Sequence, residues 1–374
     1  MRRTVPPVRP IRFIAATLFA LGSLAACQAQ SASGGPDGGP AGSGDAAVRD
    51  AAPDGAGPDG GSGGPAAGIT VLVEPNGNHG AELVAAITGA HQSVYMTMYE
   101  LDDAAVIAAL VGRAQAGLDV QVVLDSSSST KSFNTPAYTK LKTAGAKPVW
   151  SSSSFNFTHE KTVIIDGAVA WIMTMNGNTS SPRDNREYLA IDTNAADVAE
   201  ATAVFVADHA LHAITPSGPL VVANANARPR LVALIAAATT TLDVEGEEFS
   251  DKNQNGIVDA VAAAARRGVH VRVIIANSTL DSQAVASVKA AGAHVVMTGP
   301  SSGGGTPSNP YIHAKAILVD CAGGTCASGF VGSENFTAGS LGYNRELGVI
   351  FSVASELAKM KAAIDTDFAA GVAQ

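Results

Sequence analysis

Positive charge is scarce in this chain, and part of what there is sits at one end. Only 15% of the 374 residues are charged, a little under the usual globular share. Four of the 24 Lys and Arg residues (Arg2, Arg3, Arg9 and Arg12) crowd the extreme N-terminus, where no acidic residue occurs. The 20 that remain face 33 acidic residues, a net of −13 for the body against −9 for the whole chain. So acidic a body lacks the basic surface that displaces counterions from a polynucleotide. That excludes a nucleic-acid coat and leaves only a local basic groove open. Long apolar runs are lacking as well: the N-terminal one, residues 13–26, is too short to span a bilayer comfortably. His79, His91, His209, His212, His270 and His294 show no metal-ligand spacing and read as surface or satisfied core residues. Cysteine is confined to Cys27, Cys321 and Cys326. Apolar residues are plentiful, 46% of the chain, enough for a substantial core in one large domain or two average ones.

The N-terminus reads as an export signal. A basic, proline-containing stretch over 2–12 precedes the apolar run, which ends in Leu24-Ala25-Ala26-Cys27. That ending resembles the lipobox of bacterial lipoproteins, in which the cysteine is diacylated and becomes the new N-terminus. The resemblance implies a signal peptide over 1–27, lipid attachment at Cys27 and an exported cell-envelope protein. Gln28, in place of an aspartate, points to the outer membrane. Residues 28–68 are Gly, Pro, Ala, Ser and Asp with almost no large apolar side chain. Such a segment cannot bury enough surface to offset chain entropy, so a disordered tether is expected.

The remainder repeats internally at roughly 150 residues. Helical stretches at 81–87 and 229–235 are followed by strand-like stretches at 94–100 and 242–248. Helical periodicity returns at 104–116 and 257–267, each stretch stopped by a glycine, Gly117 or Gly268. Strands at 120–124 and 271–275 follow. Strands alternating with helices predict a sheet with helices on its faces, in two halves at 69–218 and 219–374.

Each half ends in the same constellation. The first runs His159-Glu160-Lys161-Thr162-Val163-Ile164-Ile165-Asp166, then Thr174-Met175-Asn176, then Asn185-Arg186-Glu187. The second runs His313-Ala314-Lys315-Ala316-Ile317-Leu318-Val319-Asp320, then Ser333-Glu334-Asn335, then Asn344-Arg345-Glu346. Both read H-x-K-x4-D, with an Asn downstream and a Glu eleven residues after it. Residues two apart on a strand project from one face, so His and Lys belong together while Asp, of opposite parity, belongs at the strand's end in structural hydrogen bonds. A returning strand carries the Asn back beside them. Two imidazoles, two ammonium groups and two amides around one point suit a phosphodiester, whose non-bridging oxygens need cationic and amide donors.

The paired motif resembles the signature of the phospholipase D superfamily from residue 68 to the C-terminus. The resemblance implies an α/β fold of two similar α-β-α halves related by a pseudo-two-fold axis, each a mixed sheet flanked by helices. It implies a catalytic set of His159, Lys161, Asp166, Asn176, Glu187, His313, Lys315, Asp320, Asn335 and Glu346. In many members the N-terminal motif supplies the nucleophile. That assigns His159 as nucleophile, forming a covalent phosphohistidine, and His313 as acid and then base, although sequence alone leaves the reverse open. Lys161, Lys315, Asn176, Asn335, Thr174 and Ser333 would bind phosphate, and Glu187 and Glu346 would orient the histidines. No catalytic cofactor is implied. The expected substrate is a phospholipid, met at the membrane and hydrolysed or transferred to an alcohol. A nuclease of the same superfamily is the alternative, and an inactive binding lipoprotein a third class. Both motifs lie in one chain, so a monomer is expected.

Two departures stand out. The Gly-Ser expected before the Asn is Met173-Thr174 in the first copy. The second copy has eleven residues between Asp320 and Gly332 where the first has six between Asp166 and Met173. The extra length, bounded by Cys321 and Cys326, looks like a hairpin turn closed by a disulfide, which fits an exported protein. Separately, Asp251, Asn253, Asn255 and Asp259, with Gly256 at the sixth position, resemble a loop for a structural calcium ion, although Ala262 replaces the closing glutamate. The same residues also suit a polar turn capping the next helix.

The leader generates one test. Cys27→Ala is expected to abolish lipid modification and release the protein from the membrane fraction. A variant that still partitions wholly with membranes would defeat the lipobox reading.

Overall fold

The structure, a computed structural model, describes residues 68–276, 282–300 and 303–374. The 1–27 leader with Cys27, and the tether up to residue 67, lie outside the described residues.

Two sheets form the framework. The first contains β1 (Ile69–Glu74), β2 (Ser93–Met98), β3 (Asp119–Leu124), β4 (Lys147–Trp150), β5 (Lys161–Ile165), β6 (Val169–Met173) and β7 (Asn185–Asp192). The second contains β8 (Val221–Val222), β9 (Thr241–Gly246), β10 (His270–Ile275), β11 (His294–Met297), β13 (Lys315–Val319), β14 (Ser328–Gly332), β15 (Leu347–Phe351) and β16 (Val372–Ala373). Between β11 and β13 in the chain lies β12 (Tyr311–Ile312), which leaves its own half and pairs with β7 of the first sheet. The first sheet runs β1-β7-β6-β5-β2-β3-β4 and the second β16-β11-β10-β9-β13-β14-β15-β8. Apart from β12 and β16, the two orders are the same path repeated.

In each half three neighbouring strands run parallel, β2-β3-β4 and β9-β10-β11. Parallel neighbours need crossovers, which helices supply. In the first half these are α2 (Ala104–Gln115) and α3 (Lys131–Thr143), with α1 (Ala81–Thr88) leading into β2. Asp103 starts α2 by accepting from the backbone N–H groups of Ala105 and Val106, each at 2.9 Å. Gly117 and Gly268, at φ 88° and 90°, adopt the left-handed conformation just past the ends of their helices. The motif strands β5 and β13 are buried at every residue, as strands covered on both faces are.

Three apolar cores result. One lies between the first sheet and α1–α3, around Leu83, Leu110, Met96 and Leu141. Its counterpart packs the second sheet against α6 (Ala227–Ala236), α7 (Ile257–Arg266) and α8 (Ser282–Ala290), after α4 (Ser181–Asp184) and α5 (Ala195–His209) in the chain. The third joins the halves: Ile172, Tyr188 and Phe205 of α5 meet Val331, Val349 and Leu357. Leu357 belongs to α10 (Ala354–Ala370), which follows the short α9 (Ala338–Tyr343). The Tyr188 hydroxyl crosses this core to donate to Glu245 at 2.6 Å, so even the buried polar groups bridge the halves.

The motif aspartates sit at the far ends of their strands. Asp166 accepts from the backbone N–H groups of His91, Gln92 and Ser93. Asp320 does the same for Thr239, Thr240 and Thr241 and also takes both of the first two hydroxyls. In the first half Asp166 and Gly167, at φ 54° and 62°, turn directly into β6. In the second, Cys321 and Cys326 are joined by a disulfide around a hairpin tip at Gly323-Gly324, both left-handed. The inserted residues lengthen this turn and leave the strands on either side in register.

Asp320→Ala is expected to cost about 1–3 kcal/mol, because it strips a charged acceptor from several amides. Burial opposes ionisation of this carboxyl, but the donors of Thr240 and Thr239 outweigh it and hold the group well below the ordinary range. A depressed carboxyl contributes stability above its unfolded value, near about 3.9, and loses it as pH falls further. Urea denaturation at pH 7 and at pH 3 tests this; equal wild-type and variant stabilities at pH 7 would sink it.

Candidate active site

The two motif histidines lie before β5 and β13, not within them. The cause is pairing between halves. His159 donates its backbone N–H to the carbonyl of Arg345, and Arg345 donates back to Phe157, both at 2.9 Å. On the other side β12 pairs Ile312 with Arg186. Each histidine therefore enters the site beside the Asn-Arg-Glu segment of the opposite half.

Those segments do three jobs. Their glutamates take the opposite imidazole: His159 Nδ1 meets Glu346 at 2.8 Å, and His313 Nδ1 meets Glu187 at 2.8 Å. Their asparagines steady the carboxylate: Asn344 donates to Glu346 at 2.9 Å and Asn185 to Glu187 at 3.1 Å. Their arginines clamp the opposite half's long helix: Arg345 pairs with Asp208 of α5 at 2.9 Å and Arg186 with Asp367 of α10. Sequence reasoning quoted these Asn and Arg residues and gave them no role. A carboxylate on Nδ1 fixes the proton there and leaves Nε2 free on each ring.

Around the rings lie the motif lysines and asparagines. Lys161 and Lys315 each donate to the carbonyl of their own histidine at 2.6 Å. Asn176 and Asn335 lie a few residues beyond β6 and β14, on the wall of an open cleft of about 620 Å³ shared with His159 and His313. Burial, with the charge of Lys315 adding to it, brings Lys161 down to about 7. Burial and the Lys161 charge lower His159 below its ordinary 6.5, against the pull of Glu346. For Glu187, burial opposes ionisation, but the facing His313 outweighs it and holds the carboxyl below the ordinary value.

Four expected site residues fall elsewhere. Asp166 and Asp320 cap backbone amides at the other end of the sheet. Thr174 and Ser333 are fully buried behind the histidine pairs. The Thr174 hydroxyl donates to Glu187 and accepts from Tyr188 N–H, and Ser333 Oγ accepts from Leu347 N–H at 3.1 Å. Neither residue lines the cleft. Met173, where a glycine was expected, packs in the core under α1–α3. Its counterpart Gly332 has another reason to be small. A Cβ there would lie 2.2 Å from Glu334 Oε2, and one on the facing Gly348 would lie 2.8 Å from it. Burial raises the Glu334 carboxyl well above its ordinary value. Glu160, also buried, is raised to about 7, chiefly by burial and then by Asp208. The second half has Ala314 and the first half Met175 at these two positions.

The cleft holds carboxylates that sequence reasoning missed, among them Glu100, which accepts from Asn176 at 3.3 Å. Glu247, one residue past β9, accepts from Lys315 at 2.8 Å, from Asn335 at 3.3 Å and from the Tyr311 hydroxyl at 2.9 Å, and lies 3.6 Å from His313 Nε2. Burial opposes its charge, but Lys315 and His313 outweigh it and hold the carboxyl well below the ordinary range. Strand register would have found it. Lys161 pairs with Met98 and Lys315 with Gly246, so the next residues, Tyr99 and Glu247, are equivalent. In the first half the Lys161 ammonium lies over the Tyr99 ring, 5.0 Å from its centre.

The Asp251 loop is built around an arginine. Asp251 is fully buried and pairs with Arg228 at 2.9 Å. It also accepts from Asn253 at 3.0 Å and from Ile257 N–H at 3.3 Å, which caps α7. Asp259 turns to the backbone of Asn255. The geometry gives the calcium expectation no support and matches the polar turn capping the next helix: the cation met by position one is a guanidinium. Among the described residues, no group of three or more His, Cys, Asp or Glu side chains is placed to hold a metal ion.

A family model described as cardiolipin synthase, PLD-like domain, matches residues 83–209 and 231–368, one span in each half. No curated protein sequence matches the chain. Among solved structures, the fold is similar to phosphatidylserine synthase from Haemophilus influenzae Rd KW20 (TM-score 0.61, 12% identity, covering 82% of this chain and 87% of that one). It is also similar to polyphosphate kinase from Porphyromonas gingivalis (TM-score 0.60, 16% identity, covering 79% of this chain) and spans only 46% of that protein. The yeast tyrosyl-DNA phosphodiesterase gives a TM-score of 0.50 at 8% identity, with 78% and 90% covered. At such identities the likeness is one of fold.

Lys161 carries its proton below about 7 and loses it above. Affinity for sulfate, a dianion throughout this range, is therefore expected to fall as pH rises through 7, and Lys161→Met to remove that step. Calorimetric titration from pH 6 to 9 checks it; a wild-type affinity flat across this range would refute the assignment.

Proposed function

The chain belongs to the family of PLD-like cardiolipin synthase domains, and from that premise we propose a phosphodiesterase that acts on phospholipids, by hydrolysis or by phosphatidyl transfer, through a covalent phosphohistidine. One observation carries the reading: two imidazoles, each oriented by the other half's glutamate, flank a single cleft with a lysine and an asparagine beside each.

The steps follow from the groups present. His159 Nε2 attacks phosphorus, and the bond to the head-group oxygen breaks. That oxygen takes the proton from His313 Nε2 and leaves as an alcohol. Water, or an acceptor alcohol, then gives its proton to His313 and attacks phosphorus. The P–N bond breaks and its electron pair returns to His159. Lys161, Lys315, Asn176 and Asn335 supply the positive and amide field for the non-bridging oxygens, so no metal is needed for that task. The division of labour is supported by what each Nε2 faces. His313 has the Glu247 carboxylate beside the nitrogen that must carry a proton. His159 has the Tyr99 ring instead, at 4.6 Å between ring centres.

A lipid is favoured over a polynucleotide for two reasons. Glu100, Asp184, Glu247 and Glu248 line the cleft, which repels a polyanion more than a single diester. Phe157, on the same wall, is 37% exposed and offers the rim an apolar contact. The family description also names a phospholipid product. The same reading makes the protein a monomeric lipoprotein of the outer membrane, held by Cys27 close to its substrate.

With full-length protein in detergent and excess chelator, phospholipid hydrolysis is expected and DNA cleavage is not. Cleavage of DNA with lipid untouched would establish the nuclease alternative. Turnover lost to the chelator and restored by zinc or magnesium would overturn the metal-free mechanism. General acid help is worth about 10²–10⁴-fold for a poor leaving group and little for a nitrophenolate. Mixed with a nitrophenyl phosphodiester, His313→Ala is therefore expected to trap a phosphohistidine visible by intact mass, and His159→Ala none. The opposite pattern would exchange the two roles.

A further inference from the structure

The phosphodiesterase reading explains why two lysines and two asparagines meet in the cleft. It does not explain why one oxygen of Glu247 already takes the donors of the second half. Lys315 Nζ at 2.8 Å and Asn335 Nδ2 at 3.3 Å both point to Oε2, and His313 Nε2 lies 3.6 Å away. These are the groups that would receive a non-bridging phosphoryl oxygen. Both lysines meet the carbonyl of their own histidine, but beyond it Lys161 has the Tyr99 ring where Lys315 has Glu247, and the first half's carboxylate, Glu100, takes Asn176 at 3.3 Å and not the lysine. Glu247 is itself braced by the Tyr311 hydroxyl at 2.9 Å.

We propose that Glu247 is an internal anion that selects phosphodiesters over phosphomonoesters, occupying the second half's phosphoryl position in the free protein and neutralising Lys315. The inference rests on the phosphodiesterase reading and deepens it. With Lys315 matched by Glu247, Lys161 is the motif lysine that no carboxylate pairs with among the described residues. That suits the single charge of a diester. A phosphomonoester or free phosphate brings a second charge, and it meets a carboxylate within a few ångströms of where its oxygens must sit. The cleft thus binds its substrate class and rejects compounds that share the phosphoryl group but carry more charge. Tyr99 at the equivalent place removes no charge, and Glu100 takes Asn176 and not Lys161, so the masking of a lysine belongs to one half.

The test is Glu247→Gln in the full-length protein, with Glu247→Tyr, the first half's own residue, as a second variant should the first fold poorly. Inorganic phosphate and tungstate are titrated by calorimetry. Rates are measured with bis(nitrophenyl) phosphate and nitrophenyl phosphate. Removing a like charge at about 4 Å is expected to tighten tungstate and phosphate by about tenfold or more. The ratio of monoester to diester kcat/KM should rise by a similar factor, mainly through KM. Unchanged oxyanion affinity would overturn the inference. So would a fall of about 10²–10⁴-fold in diester kcat at constant KM, which would make Glu247 a proton-transfer group. If neither wild type nor variant binds either anion, and His159→Ala matches wild type on both esters, the phosphodiesterase reading itself falls.

Discussion

Everything in this site depends on a carboxylate reaching across to the imidazole of the opposite half. Glu346 holds His159 and Glu187 holds His313, both at 2.8 Å and both glutamates fully buried. A buried carboxylate stripped of its partner costs several kcal/mol, so neither half can keep its glutamate in place alone. The surrounding structure serves this exchange. β12 abandons its own sheet to run beside the Asn-Arg-Glu segment of the first half. The chain before β5 makes the matching contact with Arg345. The two arginines then fix α5 and α10 across the same boundary. A pseudo-two-fold axis through the cleft is the simplest way to satisfy two such demands at once.

Much of this was legible in the sequence, because it is written in short-range patterns. The repeat, the buried motif strands and the glycine stops all follow from periodicity within about a dozen residues. The parity of Asp166 against His159 and Lys161 correctly separated it from the chemistry, although the family pattern keeps it among the catalytic residues. What escaped needed long-range pairing. Thr174 and Ser333 look like phosphate ligands by their place beside Asn176 and Asn335. Only the sheet shows that their hydroxyls turn back to Glu187 and to a backbone amide. Asp251 has the spacing of a calcium ligand, but Arg228, 23 residues earlier, supplies the charge. Glu247 was read as part of a strand, and its role is visible only once β9 is set against β13.

The halves are alike in path and unequal in chemistry. Glu247 stands where the first half has Tyr99, Glu334 where it has Met175, and Glu160 where the second half has Ala314; Glu247 lines the cleft and the other two are buried. Gly332 and Gly348, opposed on β14 and β15, leave the space that the Glu334 carboxyl fills. An ancestral repeat with two identical half-sites would give both histidines the same surroundings and no reason to divide their work. The added acids break that equivalence, and each costs burial energy that the identical sheets on either side absorb.

The strand that crosses from the second half into the first has a consequence for when the protein can act. Until the two halves meet, neither imidazole has the carboxylate that the other half supplies. A chain whose halves have not yet met therefore carries both motifs and no working site. Competence therefore waits on contact between the halves. For a protein proposed to attack phospholipids, latency of this kind needs no inhibitor; the topology itself is the safety catch.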